Sequence, residues 1–263
     1  MTGWGTRHNS FSASVFKQAR IMFTRLRGFA VLFAIGGCAS LAALPAVAQS
    51  ASFIVSQHGQ PVGTASFRFT AVAGGYDSTS LVKVALQGLD YSLSKTELLS
   101  SANQLRHVLV SGIVNGSAVT VNGSRDSAQY LLNISANGRA TTTRLPLHAA
   151  AVFLPDFDPG ALETLLALGV TQRNRDLWAI IPRQAGTIEP VTLATYADEQ
   201  GTLDGKRVVV HHLVATTAGS KTDLFSGPQN QLLQAELPQQ GFALVRKGFV
   251  LTPPTRPIAP PEK

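Results

Sequence analysis

Two adjacent histidines, His211 and His212, are the most suggestive chemical feature of the chain, because they interrupt a run of valines in RVVVHHLVAT (207–216). Imidazole side chains could ligate a metal or act as a general base. Neighbouring residues of a strand point to opposite faces of a sheet, so the two rings are poorly placed to hold one ion. The sequence has no H-x-H pattern and no paired Cys/His spacing to add ligands. We therefore predict no metal ligand and interpret both histidines as strand residues.

The carboxylates Asp156 and Asp158 form a second candidate pair, in the segment PDFDPGALETLLALG (155–169). A helix cap is the simpler interpretation of Asp158. The sequence contains no G-x-S-x-G elbow and no P-loop, and Ser226-Gly227-Pro228 is typical of a turn. We predict no catalytic residue and no cofactor. An enzymatic role stays open, because catalytic groups can assemble from distant positions.

The same segment predicts a short helix near 159–168. Asp158 can cap it, Pro159 suits its first position, and Gly169 can close its end. Leucines at helical spacing give it an apolar stripe: Leu162, Leu165 and Leu166. We expect this helix to cover one face or end of a sheet as a lid.

Most of the remaining chain alternates apolar and polar residues, the pattern of half-buried strands. Fourteen such runs lie between residues 51 and 250. They are separated by pairs that favour tight hairpin turns: Gly74-Gly75, Asn115-Gly116, Asn122-Gly123, Asn137-Gly138 and Asp204-Gly205. The sequence therefore predicts a mainly β fold built from consecutive antiparallel strands.

The net charge of +7 is concentrated at the beginning of the chain. Residues 1–48 hold five of the 22 basic residues and none of the 15 acidic ones. The rest of the chain is nearly neutral and has no basic cluster interleaved with aromatic residues. These features argue against a nucleic-acid partner.

The basic region reads as a secretory leader that starts at Met22, which we take as the true start. Arg25 and Arg27 precede an apolar run (29–44), and Ala46-Val47-Ala48 provides a cleavage site. A membrane anchor is the alternative, but the run is interrupted by glycines and is short of the roughly 20 residues that span a bilayer. We expect a periplasmic or secreted protein.

Cys38, the only cysteine, offers an alternative localisation. It follows Ile35-Gly36-Gly37, which resembles a lipobox, so lipidation at Cys38 would anchor the protein to a membrane. Apart from the leader, we expect no other membrane attachment. We predict three regions: the leader region (1–48), one β-rich domain (49–252), and a disordered proline-rich tail (253–263).

The C-terminal third carries a resemblance, in ATYADEQGTLDGKRVVVHHLVA and TDLFSGPQNQLLQAELPQQGFALVRKGF. This order resembles uncharacterised secreted bacterial proteins, which are similar in turn to the half-barrel carriers of lipoproteins and envelope lipids. The residues that carry it are Leu224-Phe225, Leu232-Leu233, Glu236-Leu237-Pro238 and Val245-Arg246. The resemblance implies a strongly curved antiparallel sheet, a half-barrel or open barrel, that wraps around a helix-bearing lid and leaves an apolar cavity.

Two functions follow as hypotheses. The first is a binding or carrier module whose curved sheet holds a hydrophobic, lipid-like ligand. The second is an envelope interaction or scaffold protein with a filled core, whose strands or tail contact another protein. The candidate ligand-lining residues, chosen for size and strand phase, are Phe67, Phe69, Tyr130, Leu132 and Trp178. Plain core packing is the alternative for all five.

Overall fold

A computed structural model describes residues 49–173, 175–183 and 185–253. The predicted leader, with Cys38 and the Ala48 cleavage site, lies outside the described residues, and so do residues 254–263 of the predicted tail. The strands are β1 (Gln49–Gln57), β2 (Gln60–Val72), β3 (Gly75–Leu86), β4 (Leu89–Ser100), β5 (Leu105–Val114), β6 (Ser117–Asp126), β7 (Gln129–Ala136), β8 (Arg139–Pro146), β9 (Ala150–Phe153), β10 (Leu177–Ile181), β11 (Thr187–Thr195), β12 (Glu199–Leu203), β13 (Lys206–Thr217), β14 (Ser220–Ser226), β15 (Leu232–Leu237), β16 (Phe242–Arg246) and β17 (Phe249–Leu251). The helix is α1 (Pro159–Gln172).

The mainly β prediction is confirmed, and the strands build one large, open, curved antiparallel sheet. From one edge to the other the pairing runs β8, β7, β6, β5, β4, β3, β2, β1, β16, β15, β14, β13, β11, β10, β9. β12 extends the ladder along the first half of β13 and also pairs with β17. The chain therefore makes an eight-stranded meander first and then returns beside β1.

Alternation along the meander gives the sheet one buried face and one exposed face. In β3, Ser78, Ser80, Val82 and Val84 are buried, while the residues between them are exposed. The same two-residue period runs through β4, where every second residue from Tyr91 to Leu99 is buried. A sheet with a single dry face must bury that face against something else, and here it curls around a helix.

Three of the five predicted turn pairs lie in turns at both residues. A fourth, Gly74-Gly75, is divided, because Gly74 lies in a turn and Gly75 is the first residue of β3. Asn115-Gly116, Asn137-Gly138 and Asp204-Gly205 have positive φ at both residues, as a tight hairpin requires. The prediction for Asn122-Gly123 is wrong, because both residues lie inside β6. Gly123 is buried, and a side chain there would meet Val108 Cγ1 at 2.8 Å. This glycine allows a close approach within the core, not a reversal of the chain.

Helix α1 connects β9 to β10, which are parallel to each other. Parallel neighbours need a crossover connection, and the helix supplies it on the buried face of the sheet. It contacts β2 and β3 of the meander, β15 of the strands that follow the helix in the chain, and β9 and β10 at the edge of the sheet. Ten of its residues are buried, as expected for a helix that is surrounded on most sides.

The start of the predicted helix is confirmed, whereas its end lies further along the chain. Asp158 caps the first turn, where its Oδ1 accepts hydrogen bonds from the amides of Gly160 and Ala161. The helix continues past Gly169, which is buried inside it, and is capped by Arg173 with a φ of 52°. The amide of Arg173 donates to the carbonyls of Gly169 and Val170, which satisfies the end of the helix.

Glu163 joins the helix to the sheet on the β15 side. Its carboxylate accepts the amide of Leu232 at 2.6 Å and a hydrogen bond from the side chain of Gln49. Burial raises the pKa of Glu163 to about 7, although the Leu232 amide, the Gln49 amide and the charge of Arg246 all oppose the shift. The helix is thus held to β15 by a group that titrates near neutrality.

We expect Glu163 to make stability fall as the pH rises from about 4.3 to 7. In the unfolded chain a glutamate loses its proton near pH 4.3, whereas folded Glu163 keeps it until the pH approaches about 7. The folded state therefore binds the extra proton in this window, and the free energy of unfolding should decrease by on the order of 3 kcal/mol across it.

Urea unfolding at several pH values checks this expectation. Glu163→Gln should remove the decrease, while the control Glu189→Gln, on a half-exposed residue of β11, should keep it. An unchanged pH profile in Glu163→Gln would contradict the assignment.

Candidate functional site

A cavity of about 470 Å³ opens against the buried face of β4 to β7, at the end that carries the β5–β6 and β7–β8 turns. Its volume is in the range of small-molecule sites, about 300–1,000 Å³. The sheet side of the cavity is mostly apolar and is lined by Tyr91, Leu93, Val110, Val114, Val119, Val121, Ile134 and Ala136. The opposite wall consists of Leu154, Pro155, Asp156, Pro182 and Arg183.

Strand register explains why this end of the sheet can line a cavity. Val110 faces Val121 across β5 and β6, and Val121 faces Ile134 across β6 and β7, which makes a continuous apolar row. Beside this row, Val119 pairs with Gly112 and with Ala136, whose side chains are small or absent. Small side chains at the end of the buried face leave space that the larger ones elsewhere fill.

A second cavity of about 130 Å³ lies on the other side of the Leu154–Asp156 wall. It shares Leu154, Pro155, Asp156 and Arg183 with the large cavity. Apolar residues of α1, β13, β15 and β16 also line it, among them Leu162, Leu165, Ala215, Leu237 and Leu244. The segment that precedes α1 therefore separates the two spaces.

Several contacts fix the segment that separates the cavities. The amide of Leu154 donates to Ile180 O at 2.8 Å, and the hydroxyl of Tyr91 donates to Asp156 O at 3.1 Å. The ring of Phe157 packs against Tyr91 and Phe242, with centroid distances of 5.8 and 4.7 Å. Phe157 has a φ of 59°, a conformation that a bulky residue adopts only when its surroundings impose it.

A buried ionic cluster holds the end of this segment in place. Lys95 Nζ lies 2.7 Å from Asp158 Oδ2 and 2.9 Å from Glu97 Oε2, and all three side chains are almost completely buried. Asp158 uses its other oxygen to cap α1. One carboxylate therefore joins the helix to β4, so the position of the helix and that of the cavity wall are set together.

The protonation state of Lys95 excludes a role as the general base for a serine nucleophile. Burial alone would lower the pKa of Lys95, but the carboxylates of Asp158 and Glu97 outweigh it and hold this pKa above its usual range. Burial raises the pKa of Glu97, against the opposing charge of Lys95. Ser80 is the cross-strand neighbour of Lys95, yet a protonated lysine cannot activate a serine as a base. The cluster is a structural element.

The five residues predicted from size and strand phase lie in different parts of the core. Phe67 packs beside Phe53 and Phe69 under the start of α1. Tyr130 donates its hydroxyl to His148 O at 3.3 Å, and the ring of Trp178 stacks on His148. Leu132 is buried beside Gly186. The large cavity is lined by other residues, so a role of these five in ligand binding stays a prediction.

The histidines of β13 are hydrogen-bonded to carboxylates. His211 Nδ1 lies 2.9 Å from Asp198, and His212 Nε2 lies 2.9 Å from Asp223, with Glu199 on its other nitrogen at 3.3 Å. The ring of His212 also stacks on Phe225. Within the described ranges, no group of three or more His, Cys, Asp or Glu residues could hold a metal ion.

Comparisons with known proteins do not suggest a function, so any proposal depends on the fold and the cavity. No protein-family model, curated protein or solved structure matches the chain. In the part of the chain that the structure covers, no helix has the length and apolar character needed to cross a membrane. The described residues define a mainly β protein with one helix inside a large curved sheet and an apolar cavity at one end.

We expect Lys95→Met to destabilise the protein by about 3–5 kcal/mol, because it leaves two carboxylates buried without their counter-charge. The triple change Lys95→Met, Glu97→Leu and Asp158→Asn should recover most of this loss, since asparagine still caps the helix. Urea unfolding measures both effects. The control is Lys83→Met on the exposed face of β3, which should change stability by less than about 0.5 kcal/mol. Equal effects of the two single changes would refute the structural role of the cluster.

Proposed function

We propose that the protein is a periplasmic or secreted binding or carrier module that holds an apolar, lipid-like ligand in the large cavity beside its curved sheet. The observation that carries the proposal is the apolar space of about 470 Å³ that remains between β4 to β7 and the Leu154–Asp156 wall. Its location in the cell rests on the leader-like residues 22–48.

The energetics of the cavity favour a hydrocarbon ligand. Each methylene group transferred from water to apolar surroundings contributes about 0.8 kcal/mol. Association costs about 4–15 kcal/mol, so only a ligand that buries many carbon atoms binds with a net favourable free energy. The cavity walls offer few polar groups. The Tyr91 hydroxyl is already bonded to Asp156 O, and the other polar side chains are Asn115, Ser117, Asn137, Asp156 and Arg183. An acyl chain with a polar end fits this distribution.

A scaffold protein with a filled core is the second candidate function, and one observation favours it. Helix α1 occupies the middle of the buried face, and the cavity that it lines together with β13, β15 and β16 measures only about 130 Å³. Under this alternative the large cavity would hold only solvent and the exposed strands would contact a partner. The two candidates differ in whether the purified protein binds an apolar probe saturably.

A cavity-filling substitution tests the proposal. Val119 is half-buried in β6 and lines the large cavity. In a titration of delipidated protein with a fluorescent fatty acid, we expect saturable binding by the unmodified protein. Val119→Trp should weaken that binding by about tenfold or more, because it removes the volume and several methylene contacts of the ligand.

Ile113→Trp is the matched control, because Ile113 lies on the exposed face of the neighbouring strand and is 49% exposed. It should leave the affinity within about twofold, since surface changes rarely alter a distant site. Circular dichroism establishes that both variants are folded. Non-saturable uptake of the probe by the unmodified protein would count against a carrier and leave the scaffold function ahead.

A further inference from the structure

Two charged residues, Asp156 and Arg183, line the large cavity, and both belong to the wall opposite the sheet. Arg183 follows β10 and Asp156 precedes α1. The remaining polar lining is neutral: Asn115, Ser117 and Asn137, at the hairpin turns. Tyr91 stays neutral as well, because burial, together with the charges of Asp156 and Asp158, raises its pKa. Arg183 is therefore the positive group that a bound ligand would meet.

The guanidinium of Arg183 uses only some of its hydrogen-bond donors. Its Nη2 donates to Asp156 Oδ1 at 2.5 Å, which is its one hydrogen bond to the described residues. A guanidinium has five N–H donors in a planar fork that matches a carboxylate or a phosphate group. The side chain of Arg183 is 62% exposed, so the unused donors are accessible at the mouth of the cavity.

The pair that Arg183 makes with Asp156 is readily exchanged for a ligand anion. Both side chains are substantially exposed, and exposed ion pairs contribute little to stability. The wall does not depend on the pair, because the hydroxyl of Tyr91 holds the backbone carbonyl of Asp156. Asp156 can thus release the guanidinium without displacing Leu154 or Pro155.

We infer that the ligand of the large cavity is an amphiphile with a monoanionic headgroup, which Arg183 binds in place of Asp156 while the hydrocarbon chain lies along Val110, Val121 and Ile134. This inference rests on the proposed function and specifies its ligand class. One guanidinium matches one negative charge, and the nearby carboxylate of Asp156 disfavours a second. A carboxylate and a phosphodiester share this chemistry.

Displacement of the fluorescent probe by matched ligands tests the inference. The competitors are a fatty acid, the fatty alcohol of the same chain length, and a lysophosphatidylglycerol. The unmodified protein should bind the acid at least about tenfold more tightly than the alcohol, because charge-assisted hydrogen bonds to Arg183 are available only to the acid. The lysophospholipid shows whether a phosphodiester is accepted in place of a carboxylate.

Substitutions at the mouth assign the effect to Arg183. Arg183→Gln should weaken binding of the acid about tenfold and leave the alcohol within about twofold, whereas Arg183→Lys should keep part of the preference. Asp156→Asn should strengthen binding of the acid by removing the competing carboxylate. Arg144→Gln, on an exposed residue of β8, is the matched control and should change neither affinity.

The outcomes separate this inference from the proposed function. Equal binding of acid and alcohol by the unmodified protein, unaffected by Arg183→Gln, would overturn the headgroup assignment and leave the carrier function in place. If neither ligand displaces the probe and the probe itself does not bind, the carrier function fails and the headgroup assignment fails with it.

Discussion

The contact on which the rest of the structure depends is the one between Asp158 and Lys95. Asp158 caps α1 with one oxygen and binds the ammonium of Lys95 with the other, at 2.7 Å. Because Lys95 also pairs with Glu97, three ionisable side chains are removed from water together, and each is acceptable only while its partners are present. This requirement fixes where the helix begins on the sheet, and the residues just before it become the wall of the cavity.

The length of the helix then determines where the sheet remains uncovered. A helix of 14 residues is about 21 Å long, whereas the eight-stranded meander presents a much wider dry face. Contacts of α1 with β2, β3, β15, β9 and β10 account for one part of that face. The ends of β4 to β7 face Leu154–Asp156 and Pro182–Arg183 rather than α1, and the space between is the candidate site. The cavity is thus a consequence of covering a large curved sheet with one short helix.

Sequence periodicity could predict the meander, because its strands alternate apolar and polar residues and pairs such as Asn137-Gly138 mark the turns between them. It could not predict β9, since all four residues of Ala150–Phe153 are buried and show no alternation. The sequence did contain a sign of the ionic cluster. Lys95 and Glu97 have the same strand phase as Leu93 and Leu99 in β4, which places them on the buried face, but a selection by size and hydrophobicity passes over charged residues. The cavity was more difficult to predict from the sequence. Large aromatic residues were chosen as candidate pocket residues, but in the structure they fill the core, and the space lies beside small residues.

The most direct measurement of the central claim is mass spectrometry of the organic extract of protein purified from its native cells without delipidation. We expect about one equivalent of a singly charged, anionic amphiphile with an acyl chain per protein chain, and a strong reduction of this compound in Val119→Trp. Folded protein whose extract contains no such compound, or the same amount of it from Val119→Trp, would contradict the account.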